Sequence, residues 1–153
     1  MGQCSGKIIA VDFDSTIAFD AWPNITDKTK PNLVVIDWLK KRQRKGDKII
    51  LWTCRENFGG INFPDHEYKN DAVRFCTRNQ LFFDNVNANY GEHGYEQTKY
   101  GRKLMADVYV DDRAVPFRRN KLLWTIYLWL IGRKLDNAPA VCSGGHNSAC
   151  QTR

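Results

Sequence analysis

Lys7–Phe13 reads K-I-I-A-V-D-F, a β-branched apolar run that closes on a carboxylate. Such an unbroken apolar run predicts a buried strand of a parallel sheet. The pattern returns at Lys48–Thr53 (K-I-I-L-W-T) and at Asp107–Asp112 (D-V-Y-V-D-D), the latter again ending in acidic residues. Leu81–Phe83 begins a further, short strand. Helical patterns lie between them. Pro31 opens the first, with Leu33, Val34, Ile36, Trp38 and Leu39 as its apolar face, Lys40–Lys45 as a basic last turn and Gly46 as terminator. The second covers roughly Glu67–Arg78, with Ala72, Val73, Phe75 and Cys76 inward. Arg102–Ala106 reads as a short helical turn. The last covers Asn120–Ile131, where Trp124, Tyr127, Leu128 and Ile131 recur at helical spacing as core or as a dimer face. Strands alternating with helices predict an α/β, three-layer Rossmann-like fold with a central parallel sheet. Right-handed crossovers bring the carboxyl ends of all strands to one edge, where ligands bind. Asp12, Thr53 and Asp112 therefore converge, although they are far apart in the chain.

The chain has 153 residues, enough for one domain with a proper core. That domain is expected over residues 1–135. Residues 136–153 hold Gly, Ser, Asn and Pro without periodicity and read as a disordered tail. Asn85–Tyr100 is rich in Asn, Gly and Tyr and reads as loop, as does the polar stretch around Gly59 and Gly60. The five cysteines are odd in number and irregular in spacing, which argues against a disulfide framework. Cys54 and Cys76 fall in apolar-periodic segments and are expected to be buried small hydrophobes. His146 between Cys142 and Cys150 fits no strong zinc motif. The longest apolar stretch, Leu122–Ile131, is too short to span a bilayer. No membrane partner and a reducing, cytoplasmic setting follow as expectations. The formal net charge of +6 favours an anionic partner or simply a basic surface. The charge run Lys40, Lys41, Arg42, Arg44 and Lys45 is either a solvated helix end or a nucleic-acid contact.

Asp12 and Asp14 flank Phe13, and residues two apart on a strand point the same way. Two carboxylates in one cavity repel, and a cation or a proton relieves them. Asp111 and Asp112 end another strand. Carboxylate oxygens with no His or Cys nearby suit a hard ion such as Mg²⁺.

D-F-D-S-T at Asp12–Thr16 resembles the DxDx[TV] signature of the haloacid dehalogenase (HAD) superfamily. Trp52–Thr53 resembles its second motif, an apolar strand ending in Ser or Thr, and Val110–Asp112 its acidic fourth. The third is a loosely placed lysine, Lys103 or its competitor Lys99. The likeness covers roughly Lys7–Arg113. It is nearest the small, capless, stand-alone members of bacteria and their viruses, with a similar W-T-x-R and D-D-R. The resemblance implies a phosphatase, a phosphoric monoester hydrolase. Asp12 would be the nucleophile, forming an aspartyl phosphate, and Asp14 the general acid and base. Mg²⁺ would be held by Asp12, Asp112 and the Asp14 backbone carbonyl, with Asp111 supporting a coordinated water. Thr53 and Lys103 would hold the phosphoryl group, and Cys54 and Arg55 in the same turn, like Arg113, lie within its reach. Arg55 and Arg113 are equally readable as ion-pair residues. Thr16 would tie down the loop. Ser15 departs from the family's usual Gly.

Ile17–Lys30 has length only for a flap, and Glu56–His66 leaves no room for a folded cap. An open site calls for a large substrate or a second subunit as its lid. A nucleotide or nucleic-acid end is the expected substrate, with a phosphorylated small molecule such as a sugar phosphate competing, and a homo-oligomer fits the aromatic last helix. A HAD-like fold kept as a non-catalytic binding module for nucleic acid or protein is the other class of function.

Overall fold

The computed structural model describes residues 6–60, 63–89, 104–115 and 119–138. Four parallel strands form the central sheet: β1 (Ile8–Val11), β4 (Lys48–Leu51), β7 (Asn85–Val86) and β8 (Val108–Val110), in the order β7-β4-β1-β8. Three helices flank it: α1 (Leu33–Arg44), α2 (Tyr68–Arg78) and α3 (Lys121–Asn137). This is the α/β, Rossmann-like arrangement that the alternating pattern predicts. Ile9, Val11, Ile49 and Leu51 join Val35, Ile36 and Leu39 of α1, Phe75 and Cys76 of α2, and Trp124 and Leu128 of α3 in one core. Ala10 and Ile50, which face the other way, are also fully buried. Both faces of the sheet are thus covered, which is why the strands read as unbroken apolar runs rather than alternations.

Several local expectations need correcting. Pro31 does not open α1. It lies in β3 (Lys30–Pro31), antiparallel to β2 (Ala18–Phe19), because Asn32 holds the chain extended: its N–H donates to Ile17 O (2.8 Å) and its side chain to Thr16 O (2.9 Å). Leu33 is exposed, and Val35 takes its place in the core. The short third strand is Asn85–Val86, not Leu81–Phe83. Leu81 is a buried anchor, and Asp84 ties in the edge by accepting from Ile49 N (2.9 Å). An edge strand pairs on one side only, so polar residues suffice. The stretch read as polar loop carries a hairpin, β5 (Asn57–Gly60) and β6 (Phe63–Glu67). Asn57 Oδ1 accepts from Lys69 N and Asn70 N at 3.1 and 3.2 Å, satisfying donors at the open end of α2. Leu104–Ala106 has no helical turn.

α3 is capped by Asn120, whose side chain accepts from Leu122 N and Leu123 N, and it runs six residues past Ile131. Asp136 and Asn137, expected in the tail, therefore belong to it. Asp136 pairs with Arg42 of α1 and with Lys45 just past its end, and Arg42 also pairs with Asp47. The Arg42 and Lys45 contacts hold the Asp136 carboxyl below its ordinary range. Arg42 is thus a buried cross-brace rather than part of a solvated or nucleic-acid-binding run. No helix among the described residues is long and apolar enough to cross a membrane.

Candidate functional site

β1, β4 and β8 are parallel neighbours, so the residues after their last positions meet at one edge. Asp12 N donates to Val110 O (2.9 Å) and Trp52 N to Val11 O (2.8 Å), which sets Asp12, Thr53 and Asp111–Asp112 side by side. Carboxylate oxygens of Asp12, Asp111 and Asp112 all lie within 4.8 Å of one another. Three oxygen donors at that spacing can share one cation, and with no thiolate or imidazole among them the set suits a hard one. The crowding acts on Asp12. Burial pushes its carboxyl up to about 7, a hydrogen bond from Phe13 N–H pulls it back, and repulsion from Asp111, Asp14 and Asp112 adds to the rise.

Thr16 joins the two acidic segments. Its buried hydroxyl accepts from Asp112 N at 2.8 Å and points to Asp12 Oδ2 at 3.4 Å. Asp111 caps the 3₁₀ turn Asp112–Ala114 by accepting from Arg113 N. Ser15 has φ +61°, in the left-handed region that favours Gly.

Asp14 does not join the carboxylate cluster. Both its oxygens are taken by Arg55, with Nε to Oδ2 at 2.9 Å and Nη2 to Oδ1 at 2.6 Å. The Arg55 guanidinium is fully buried and also donates to Pro23 O and Ala21 O in the flap. Four of its five N–H groups are thereby committed to the protein. The side chain locks Asp14 to the flap, in keeping with the ion-pair reading of Arg55.

Thr53 is buried, and its hydroxyl accepts from Arg55 N at 3.2 Å. Asn87 holds its backbone from both sides: Thr53 N donates to Asn87 Oδ1 and Asn87 Nδ2 donates to Thr53 O, each at 2.8 Å. Sequence reasoning missed Asn87, which falls in a stretch read as loop. The signal was an Asn just past a strand, and its φ of +50° is one that Asn tolerates. Cys54 is exposed, contrary to expectation, whereas Cys76 is buried and its thiol is pushed up to about 12 by that burial. Lys103, Lys99, His146, Cys142 and Cys150 lie outside the described residues.

A solved structure described as the conserved protein coded by a locus from Bacteroides thetaiotaomicron is similar to this chain at 30% identity. The likeness covers 85% of this chain and 93% of that one, with a TM-score of 0.62. The chain belongs to that protein's family. The shared fold takes in most of both chains and brings no activity with it. A second structure, of the Pnkp1/Rnl/Hen1 RNA repair complex, is 20% identical over 87% of this chain and 41% of that one, with a TM-score of 0.47, too low to bear on fold or activity. No family model and no curated protein matches the chain.

Proposed function

We propose that the protein is a magnesium-dependent phosphomonoesterase of the HAD type. The observation that carries this reading is the cluster of Asp12, Asp111 and Asp112 at adjacent strand ends, with Asp14 two residues beyond the first. Mg²⁺ bound there would offset charge between carboxylates and phosphate. An Asp12 oxygen attacks phosphorus as the bond to the leaving oxygen breaks, and Asp14 protonates that oxygen. Water then attacks the aspartyl phosphate, passes a proton to Asp14 and frees Asp12 and phosphate. The Thr53 hydroxyl and Lys103 would hold the phosphoryl oxygens. The substrate class is a nucleotide or nucleic-acid end.

One observation favours the second reading, a non-catalytic binding module. Both Asp14 oxygens accept from Arg55, and that bidentate pairing has a purely structural use. A panel of phosphate monoesters separates the two readings. The enzyme hydrolyses at least one with Mg²⁺, loses that activity in EDTA and regains it on adding Mg²⁺, and Asp12→Asn abolishes it while the protein stays folded. Turnover that survives complete chelation, or survives Asp12→Asn, rules the mechanism out.

A further inference from the structure

We infer that Trp22, backed by Tyr68 and His66, is a stacking platform for the nucleobase of a phosphate-bearing nucleotide unit, an inference that rests on the phosphohydrolase reading for the place of the phosphate. Trp22 stands in the flap between β2 and β3 and is 65% exposed. Its ring is nevertheless held. The Arg55 guanidinium carbon lies 5.4 Å from its centroid, and the Tyr68 ring lies 6.0 Å away at 34°. Tyr68 in turn stacks on His66 at 4.8 Å and 13°. Two separate elements, the flap and the junction of β6 with α2, thus present one aromatic surface. It begins a single side chain from the acidic loop, because the guanidinium under Trp22 also bonds Asp14 at 2.6 Å.

A fixed, open indole favours a flat partner. Stacking gains area without loss of rotamer freedom, and a neutral heterocycle brings no charge to desolvate. The platform is joined to Asp14, the residue proposed to protonate the leaving oxygen, through the single Arg55 guanidinium. A nucleotide supplies a flat group, while a sugar phosphate leaves Trp22 uncovered. The described residues between β1 and α1 and between β4 and α2 pair only as two-stranded ribbons. The net charge of +6 adds attraction for a phosphate-bearing ligand.

The test compares wild type, Trp22→Ala and Trp22→Phe on a nucleoside monophosphate, a phosphate-ended oligonucleotide and ribose phosphate, all with Mg²⁺. The readout is the ratio of kcat/KM for each base-bearing substrate to that for ribose phosphate. This ratio cancels any common loss from disturbing Arg55 and Asp14. Trp22→Ala should lower it about tenfold or more, the scale of one base–aromatic stack, and Trp22→Phe should keep most of it. A fall with the mononucleotide points to free nucleotides, and a fall with the oligonucleotide alone to nucleic-acid ends. An unchanged ratio for both overturns the platform. If wild type turns over none of the three, the phosphohydrolase reading fails by itself. Equilibrium binding of the same compounds to the Mg²⁺-loaded protein then decides: equal affinity for ribose phosphate and nucleotide, or no binding of either, overturns the base site, and a base-dependent affinity lost in Trp22→Ala sustains it.

Discussion

Replacing Asp12 by Asn should stabilise the metal-free protein at pH 8, although it removes the residue at the centre of the site. Burial among three other carboxylates raises the Asp12 carboxyl from 3.8 to about 7. The sign follows from linkage. Between pH 4 and 7 the folded state holds a proton that the unfolded state has released, so stability falls as pH rises through that window. Above pH 7 the full cost is present. Three pH units at 1.36 kcal/mol each set its ceiling at about 4 kcal/mol. Asn occupies the same volume without the charge, so Asp12→Asn should gain about 1–4 kcal/mol at pH 8 in EDTA. For a chain of this length that is a rise in Tm of several degrees. The gain should shrink towards zero near pH 4. Thermal or urea denaturation of both proteins across pH reads it, and taking the difference cancels the groups they share. Magnesium should reverse the order by stabilising wild type through mass action while barely moving the variant. A variant no more stable than wild type at pH 8, or an advantage that grows as pH falls, would refute the reasoning.

Arg55→Lys should not behave as a conservative change, because a single ammonium cannot reproduce the fork on Asp14 together with the bonds to Ala21 and Pro23; urea denaturation should show a loss of about 2–4 kcal/mol, near the range for breaking a buried pair. Asn87→Ala should leave the buried Thr53 N–H and C=O unpaired and cost about 2–4 kcal/mol by the same assay, with a loss below 0.5 kcal/mol counting against the role given to Asn87. Gly6→Ala should destabilise by about 2 kcal/mol or more, since a Cβ there would lie 1.9 Å from Gly46 O and 2.8 Å from Asp47 Cα, backbone atoms that cannot swing aside; an unchanged melting temperature would show that the β1 entry yields.

The sheet was legible because its signal is redundant. Ile8–Val11 and Val108–Val110 are apolar runs that lead directly into aspartates, Lys48–Leu51 holds Ile49, Ile50 and Leu51 in one run, and burial on both faces allows little else. What stayed hidden rests on pairing rather than on side-chain type. Nothing local in Asn85–Val86 marks a strand. Those residues become one because β4 offers an open edge and Asp84 reaches Ile49 N. The β5–β6 hairpin is similar: its backbone pairs across a Gly-containing segment that composition alone reads as loop.

At the site, sequence spacing located the carboxylates but not their partners. The two-residue step from Asp12 to Asp14 implies a shared cavity, yet the flap intervenes. Ala21 and Pro23 present carbonyls to Arg55, and a guanidinium held there takes both Asp14 oxygens. Asp12 is left with Asp111 and Asp112 as its neighbours. The split has a chemical use. In the proposed mechanism it keeps the proton-transferring Asp14 apart from the three carboxylates that would hold the metal. Arg55 achieves that separation and also connects Asp14 to Trp22. Motion of the flap on meeting a ligand would therefore reach Asp14 directly. In the proposed mechanism Arg55 therefore links the flap to the carboxylate that transfers the proton.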